Sequence, residues 1–128
     1  MPDQALCNIK VLDFTQHVAG PYCTKLMADQ GADVIKVERP GTGDLARRLG
    51  PYPDDVPHPE RSGLFLHLNT NKRSITLDLN THAGRNIARK LAAESDVVVE
   101  SFRPGTMESF GLDYQSLKSV NQNLVMTS

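Results

Sequence analysis

The sequence has little that would commit it to nucleic acid or membranes. Its 14 lysine and arginine residues are balanced by 15 aspartate and glutamate residues, so the basic excess needed to bind a phosphate backbone is missing. No apolar run approaches the roughly 20 residues that span a bilayer, and Met1 to Gln4 lack the basic start of a secretion signal. We therefore expect a cytoplasmic protein with no nucleic-acid partner and no membrane partner.

Cysteine is also scarce. The two cysteines, Cys7 and Cys23, form no CxxC pair and have no histidine at metal-binding spacing, which argues against a zinc site or a disulfide framework. Cys23 falls within an apolar helical stripe, where a thiol usually packs as a small hydrophobic group. We expect no bound metal and a core position for Cys23.

Two β-rich runs frame a helix in the first part of the chain. Residues 9–14 and 33–38 are short apolar runs bounded by turn-forming residues, which is typical of strands. Between them, Gly20-Pro21 favours a helix start and Gly31 a helix end. The spacing predicts one packed helix face, made of Tyr22, Cys23, Leu26, Met27 and Gln30.

The same alternation of strand and helix recurs further along. Residues 74–78 alternate like a strand, and Asn80 or Thr81 can cap a following helix. The run of valines within 96–101 predicts an interior strand of a parallel sheet. The expected apolar side of the intervening helix is Gly84, Ile87, Ala88, Leu91 and Ala92.

Two short helices and a last strand complete the pattern. Helical spacing joins Met107 to Phe110, and joins Tyr114, Leu117 and Val120, before a strand begins at Leu124. The whole chain, residues 1–128, thus predicts a single α/β domain of Rossmann-like, doubly wound architecture with a mostly parallel sheet. We expect the sheet to continue in a longer protein, and the uncovered last strand favours a homo-oligomer.

Residues 39–62 interrupt this rhythm. They contain five of the eight prolines, and a connection of this length within a compact domain is usually functional or mobile. Residues 44–49 can form a helical turn. We interpret the segment as a loop that helps to form a site.

Ligands of open α/β sheets bind outside the carboxyl ends of the strands. After the first predicted strand, residues 15–21 lead into a helix whose free N–H groups suit a phosphate or carbonyl oxygen, although a tight turn would also account for Gly20-Pro21. After the second strand comes Arg39, which suits a phosphate unless it pairs with Glu38 or Asp44.

Two further segments carry cations or an aromatic ring. Lys72 and Arg73 lie at the amino end of a strand, where a solvated turn is expected. Phe102 and Arg103 follow the fourth strand, and the ring of Phe102 can stack on a nucleobase or pack in the core. No Ser/His/Asp set or carboxylate pair can be identified from spacing, so no catalytic residue is predicted.

Three blocks of sequence together resemble the opening of family III CoA-transferases, the CaiB/BaiF group: VLDFTQHVAGPYCTKLMADQGADVIKVERPGTGD, LNTNKRSITLDL and DVVVESFRPGTMESFGLDYQSL. The resemblance implies a Rossmann-like domain that binds coenzyme A, with CoA or an acyl-CoA as ligand. It implies that the backbone of His17, Val18 and Ala19 approaches the coenzyme and that Arg39 binds its phosphates. It also implies that the adenosine is bordered by Leu77, Ser101 and Phe102.

The resemblance covers the amino-terminal part of that family, whose aspartate nucleophile lies further along the chain. We therefore expect a fragment of a CoA-transferase that binds CoA and is inactive alone. Three alternatives stay open: a stand-alone CoA-binding or interaction module, a part of an α-methylacyl-CoA racemase-like enzyme, and a folded remnant without a ligand.

Overall fold

Five strands form one parallel sheet. A computed structural model of the protein describes residues 3–128. The strands lie in the order β3-β2-β1-β4-β5, and each neighbouring pair is parallel. Their bounds are β1 (Lys10–Asp13), β2 (Asp33–Glu38), β3 (Arg73–Thr76), β4 (Val97–Val99) and β5 (Val125–Thr127). The α/β fold and the interior position of the valine-rich strand β4 are confirmed.

The described residues include five α-helices. They are α1 (Ala19–Asp29), α2 (Gly63–Leu68), α3 (His82–Ala93), α4 (Thr106–Ser109) and α5 (Tyr114–Lys118). Helix α2 was not predicted from the sequence, and it begins where the Ser62 hydroxyl accepts a hydrogen bond from the Phe65 N–H. Of the two predicted caps for α3, Thr81 is the one used, since its Oγ accepts from the Gly84 N–H at 3.0 Å.

The segment 39–62 contains two short 3-10 helices, Leu45–Arg48 and Pro53–Asp55. The first corresponds to the helical turn expected at residues 44–49. Ser62 fixes the far end of the segment, because its hydroxyl donates to the carbonyl oxygens of Ala46 and Leu49. The segment therefore folds back on itself instead of crossing the surface as an open loop.

The strands send alternate side chains to opposite faces of the sheet. One face, here called the apolar face, is covered by α3, α4 and α5 and carries Leu12, Phe14 and Val37. The other, the charged face, is covered by α1 and carries Asp13 and Lys36 besides a smaller apolar cluster. That cluster consists of Val11, Ala28, Ala32, Val34 and Val99.

Most of the predicted packed face of α1 is wrong. Met27 is half-buried against the smaller apolar cluster as expected, but Tyr22, Cys23, Leu26 and Gln30 are exposed. The helix instead turns Pro21, Thr24 and Ala28 inward. The reason is polar, since the Thr24 hydroxyl donates a hydrogen bond at 2.6 Å to the buried carboxylate of Asp13. Cys23 consequently does not pack in the core.

Smaller corrections apply on the apolar face. Gly84, Ala88 and Ala92 of α3 are buried as expected, but Ile87 lies at the exposed side of the helix. Of the three positions predicted to pack around α5, only Leu117 is buried, and Tyr114 and Val120 are exposed. Because α5 has only five residues, the single inward side chain of Leu117 attaches it to the core.

The last strand lies at the edge of the sheet. β5 pairs with β4 on one side, and Val125 is 58% exposed. Self-association through this edge stays a prediction. Among residues 3–128, no helix has both the length and the apolar character needed to cross a membrane.

Candidate functional site at the carboxyl edge of the sheet

Two cavities that share part of their walls lie at the carboxyl ends of the strands. The larger is an open cleft of about 600 Å³ lined by the β1–α1 loop, Arg39, Leu45 and residues 101–103. The smaller, of about 90 Å³, lies between the end of β2, residues 77–80 after β3, and the rings of Phe102 and Phe110. Its wall combines apolar side chains with polar ones, among them the carboxylates of Glu38 and Asp78. Gln16, Arg39 and Phe102 belong to both linings, so the two spaces adjoin.

The structure brings the seven predicted binding residues to these two cavities. Arg39 and Phe102 stand at the junction, since each lines both spaces. Leu77 lines the smaller cavity. The larger cleft is lined by the remaining four, His17, Val18, Ala19 and Ser101.

The β1–α1 loop is held by a side chain at each of three successive amides. His17 within it has φ of 67°, a left-handed conformation that few residues other than glycine adopt. This left-handed conformation changes the direction of the backbone just before α1. The three bonds run from Thr15 N–H to Asp13 Oδ1 (2.8 Å), from Gln16 N–H to Ser101 Oγ (3.3 Å) and from His17 N–H to Asp44 Oδ1 (3.0 Å).

The helix that follows this loop begins without a side-chain cap. Val18 occupies the N-cap position and makes no capping hydrogen bond. The first N–H groups of a helix have no partner within the helix, and the residues that carry them here, Val18, Ala19 and Gly20, line the larger cleft. An acceptor oxygen of a ligand would satisfy them.

Gly20 is required by packing. A Cβ at this position would lie 2.3 Å from side-chain atoms of Thr15, much closer than atoms can approach. The tight turn that the sequence left open as an explanation of Gly20-Pro21 is therefore present. Gly20 alone does not indicate a ligand, and the case for binding rests on its neighbours.

Asp13 lies at the centre of a buried hydrogen-bond network beneath the loop. Its side chain is inaccessible to solvent, and its Oδ1 accepts from both the N–H and the hydroxyl of Thr15. Its Oδ2 accepts from the Thr24 hydroxyl and from the Lys72 ammonium group, at 2.6 and 3.1 Å. This carboxylate joins β1, α1 and the start of β3.

Lys72 was expected in a solvated turn, and this is wrong. Its side chain is 1% exposed, and Nζ also donates to the carbonyl of Pro21 and to Asn69 Oδ1. Burial disfavours the charged ammonium group and lowers the pKa of Lys72 to about 8, although the neighbouring Asp13 carboxylate opposes this change. Arg73, by contrast, is exposed and pairs with Asp33.

A second buried ion pair joins β2 to the segment after it. Lys36 Nζ lies 2.7 Å from Asp44 Oδ2, and the two side chains are 1% and 0% exposed. Lys36 also donates to the Thr15 carbonyl at 2.9 Å, while Asp44 Oδ1 accepts from the N–H groups of His17 and Ala46. The pair thus contacts the β1–α1 loop at two points.

Glu38 forms a third polar centre with Arg47. Burial alone would raise the pKa of Glu38, but the Arg47 guanidinium, the Asp44 N–H and the Ser74 hydroxyl together lower it to about 2. Arg47 Nε and Glu38 Oε2 are 2.8 Å apart, and the guanidinium also lies 3.7 Å from the ring centre of Phe65.

These pairings exclude an ion pair of Arg39 with Glu38 or Asp44, which was the alternative to phosphate binding. Glu38 pairs with Arg47 and Asp44 with Lys36, and among residues 3–128 no carboxylate forms an ion pair with Arg39. Arg103 lines the same cleft, and none of the described residues that line it is a carboxylate. The larger cleft therefore suits an anionic ligand.

The aromatic wall is shared with the core. Phe102 meets Phe110 edge to face, with ring centres 6.3 Å apart, and its side chain is partly buried. The core-packing interpretation of Phe102 is therefore confirmed, and because the ring also lines both cavities, its stacking on a nucleobase stays a prediction. Within the described part of the chain, no three or more His, Cys, Asp and Glu side chains form a group suited to a metal ion.

Comparison with known proteins agrees with this arrangement. Residues 6–128 match the model of CoA-transferase family III. A succinyl-CoA:mesaconate CoA-transferase of Haloarcula hispanica is 48% identical over 97% of the chain, and a formyl-CoA:oxalate CoA-transferase of Afipia carboxidovorans is 44% identical over 98%. The chain spans 31% and 28% of the lengths of these two relatives.

A solved structure shares the fold. The crystal structure of a CAIB/BAIF family protein from Brucella suis superimposes with a TM-score of 0.87 at 40% identity, covering 97% of this chain and 32% of that one. The family match extends over nearly the whole sequence, and the sheet order and the helices that cover it are those of a solved relative. The chain belongs to CoA-transferase family III.

Proposed function

We propose that this chain is the CoA-binding part of a CoA-transferase that moves CoA between an acyl-CoA and a carboxylic acid. The observation that carries the proposal is the larger cleft, which combines Arg39 and Arg103 with the uncapped start of α1. Cations and free N–H groups that converge on one space, with no carboxylate among its described lining residues, suit a ligand that carries phosphates.

The two cavities suggest how CoA would lie. The adenine would occupy the smaller cavity between Leu77 and Phe102, since a purine can stack on an aromatic ring. Arg39, which lines both cavities, would contact the phosphates. The remainder of CoA would extend through the larger cleft, past the backbone of His17–Ala19.

The acyl groups are suggested only by relatives. The relatives named above act on succinyl-CoA with mesaconate and on formyl-CoA with oxalate. We propose that the donor of this protein is likewise the CoA thioester of a small carboxylic acid and that the acceptor is a small free carboxylic acid. No described residue of the chain selects among them.

The binding site is tested by titration calorimetry with CoA. Arg39→Ala should weaken binding by about 1.5–3 kcal/mol, the range for a hydrogen bond to a charged group, and the loss should shrink as salt rises. Phe102→Ala should weaken it less, by about 1 kcal/mol, with little dependence on salt because stacking is not ionic. A matched control is Arg73→Ala, which removes an exposed arginine paired with Asp33 at the other edge of the sheet.

Unchanged affinity in both variants would refute this site, and an unmodified chain that binds no CoA would refute the function. The same preparation should transfer no CoA from succinyl-CoA to mesaconate. The reason is that no described carboxylate lines the larger cleft, and a covalent route requires a nucleophile. Transfer that disappears when one of the chain's own carboxylates is replaced would contradict the second expectation.

A further inference from the structure

The buried side chain of Asp44 holds the left-handed residue of the β1–α1 loop, which lines the larger cleft. His17 is held at φ of 67°, and its N–H donates to Asp44 Oδ1 at 3.0 Å. A left-handed histidine is strained relative to an extended or helical one, so it persists only where its surroundings hold it. Asp44 lies 27 residues further along the chain, hence this contact is not local.

Asp44 can hold His17 because Lys36 holds Asp44. The ion pair has no access to solvent, and removing two charges from water costs roughly several kcal/mol for each ion. A pair of apolar residues would fill the same space without that cost. The pair therefore calls for an explanation other than stability, and its two contacts to the β1–α1 loop, at Thr15 and His17, supply one.

The position of the loop indicates which part of the ligand it serves. His17, Val18 and Ala19 line the larger cleft and are absent from the lining of the smaller cavity. The part of the loop that Asp44 contacts therefore lines the larger cleft alone, whereas Gln16 of the same loop, like Arg39 and Phe102, also lines the proposed adenine site. A change at His17 should affect the diphosphate and pantetheine end of CoA and spare the adenosine end.

We propose that Asp44, paired with Lys36, is a positioning residue that aims the backbone N–H groups of Val18 and Ala19 at the part of CoA beyond its adenosine phosphates. The inference rests on the proposed function. Asp44 acts through the His17 amide and does not touch the ligand. Lys36 compensates the buried charge and supports the Thr15 carbonyl of the same loop.

Two double variants isolate this role. Lys36→Met with Asp44→Ala removes both charges and leaves the N–H groups of His17 and Ala46 without an acceptor. Lys36→Met with Asp44→Asn also removes both charges but keeps an oxygen for these N–H groups. Neither variant leaves a buried ion unpaired, so both should fold, which thermal unfolding of each full chain will verify.

The probes are CoA and adenosine 3′,5′-bisphosphate, which lacks the second phosphate of the diphosphate and the pantetheine arm. By calorimetry, the alanine double variant should bind CoA about tenfold or more weakly than the asparagine double variant, as expected from the loss of one well-placed contact. The two should bind adenosine 3′,5′-bisphosphate equally. A merely structural role would lower both affinities together.

Equal CoA affinity in the two double variants would overturn the inference while leaving the proposed function intact. Equal losses for both probes would also overturn it. Amide hydrogen exchange without ligand gives a test that is independent of CoA: His17 should exchange faster in the alanine double variant, and identical rates would refute the positioning role. An unmodified chain that binds no CoA would instead refute the proposed function.

Discussion

The two faces of the sheet pack against their neighbouring segments through different kinds of interaction. On the apolar face, residues such as Leu12 and Val37 pack against α3 and α5 with no buried charge between them. On the charged face, the residues next to them in β1 and β2 are Asp13 and Lys36, which lie side by side in the register of the two strands. Neighbouring residues in each strand thus lie on opposite faces, one in hydrophobic packing and the other in a network of ion pairs.

The difference shows what each face contributes. Apolar packing is non-directional and supplies most of the free energy of folding, at roughly 1.5–3 kcal/mol for each large side chain fully buried. Buried ion pairs contribute little net stability, but their hydrogen bonds have defined directions. The charged face lies beneath the β1–α1 loop, so the directional contacts occur where the site needs fixed backbone positions.

The largest effect is expected from breaking the charged face. Asp13→Ala should lower the free energy of unfolding by about 3–5 kcal/mol, because Lys72 would remain as a buried, unpaired cation. Adding Lys72→Met should recover part of this loss, since the double variant leaves no ion without a partner. Urea unfolding of the three proteins measures both quantities.

On the apolar face, Leu117→Ala should cost about 2–5 kcal/mol through the cavity it leaves, and no second substitution of a charged residue should rescue it.

If Asp13→Ala cost less than about 1 kcal/mol, the charged face would not be a buried network in solution. If Lys72→Met made the loss larger, the contacts of Lys72 to Pro21 and Asn69 would stabilise the fold independently of Asp13.

Acid should distinguish the two faces next. The pKa of Glu38 is lowered from its ordinary value of 4.5 to about 2, so the folded state favours the ionised form. The stability this supplies is present above about pH 4.5 and is lost as the pH falls from 4.5 towards 2. Thermal unfolding across this range should show a steeper decline for the unmodified chain than for Glu38→Gln.

Leu117→Ala serves as the control for this acid profile. It should shift the whole stability profile downwards without changing its slope between pH 4.5 and 2, because Leu117 binds no proton. Parallel profiles for Glu38→Gln and the unmodified chain would mean that Glu38 keeps an ordinary pKa. The tightly paired arginine, Arg47, would then have to be mobile.

The smallest effect is expected at the helix starts. Thr81→Ala should cost about 1 kcal/mol, because Thr81 caps α3 on the apolar face with its hydroxyl. Val18→Ala at the start of α1 should change the free energy of unfolding by less than about 0.5 kcal/mol, since Val18 makes no cap. Chemical unfolding of both variants would compare them, and equal losses would contradict the uncapped start of α1.

The fold was predictable because its signals are local. Strand-like runs, the Thr81 cap and the glycine after α1 each act within a few residues, and together they indicate a parallel α/β sheet. The inward face of α1 was not predictable in this way. Hydrophobicity favoured Leu26 as an inward residue, whereas the hydrogen bond from Thr24 to Asp13 places a different face of the helix against the sheet.

The residues that line the cleft were predictable, and the buried ion pairs beneath them were not. The rule that ligands bind at the carboxyl ends of strands, together with the family resemblance, located Arg39 and Phe102 at the cleft. The pairs of Asp13 with Lys72 and of Lys36 with Asp44 join residues far apart in sequence. One signal for them was present, namely charged residues at the inward positions of β1 and β2.

The central position of β1 in the sheet has a consequence for the order in which the site is assembled. β1 pairs with β2, which follows shortly after it, and with β4, which is made only near the end of the chain. The Gln16 N–H and the Ser101 hydroxyl, one from each wall of the cleft, are 85 residues apart. A ribosome must therefore synthesise the intervening residues before the cleft has its second wall, and no contiguous peptide that lacks them contains the site.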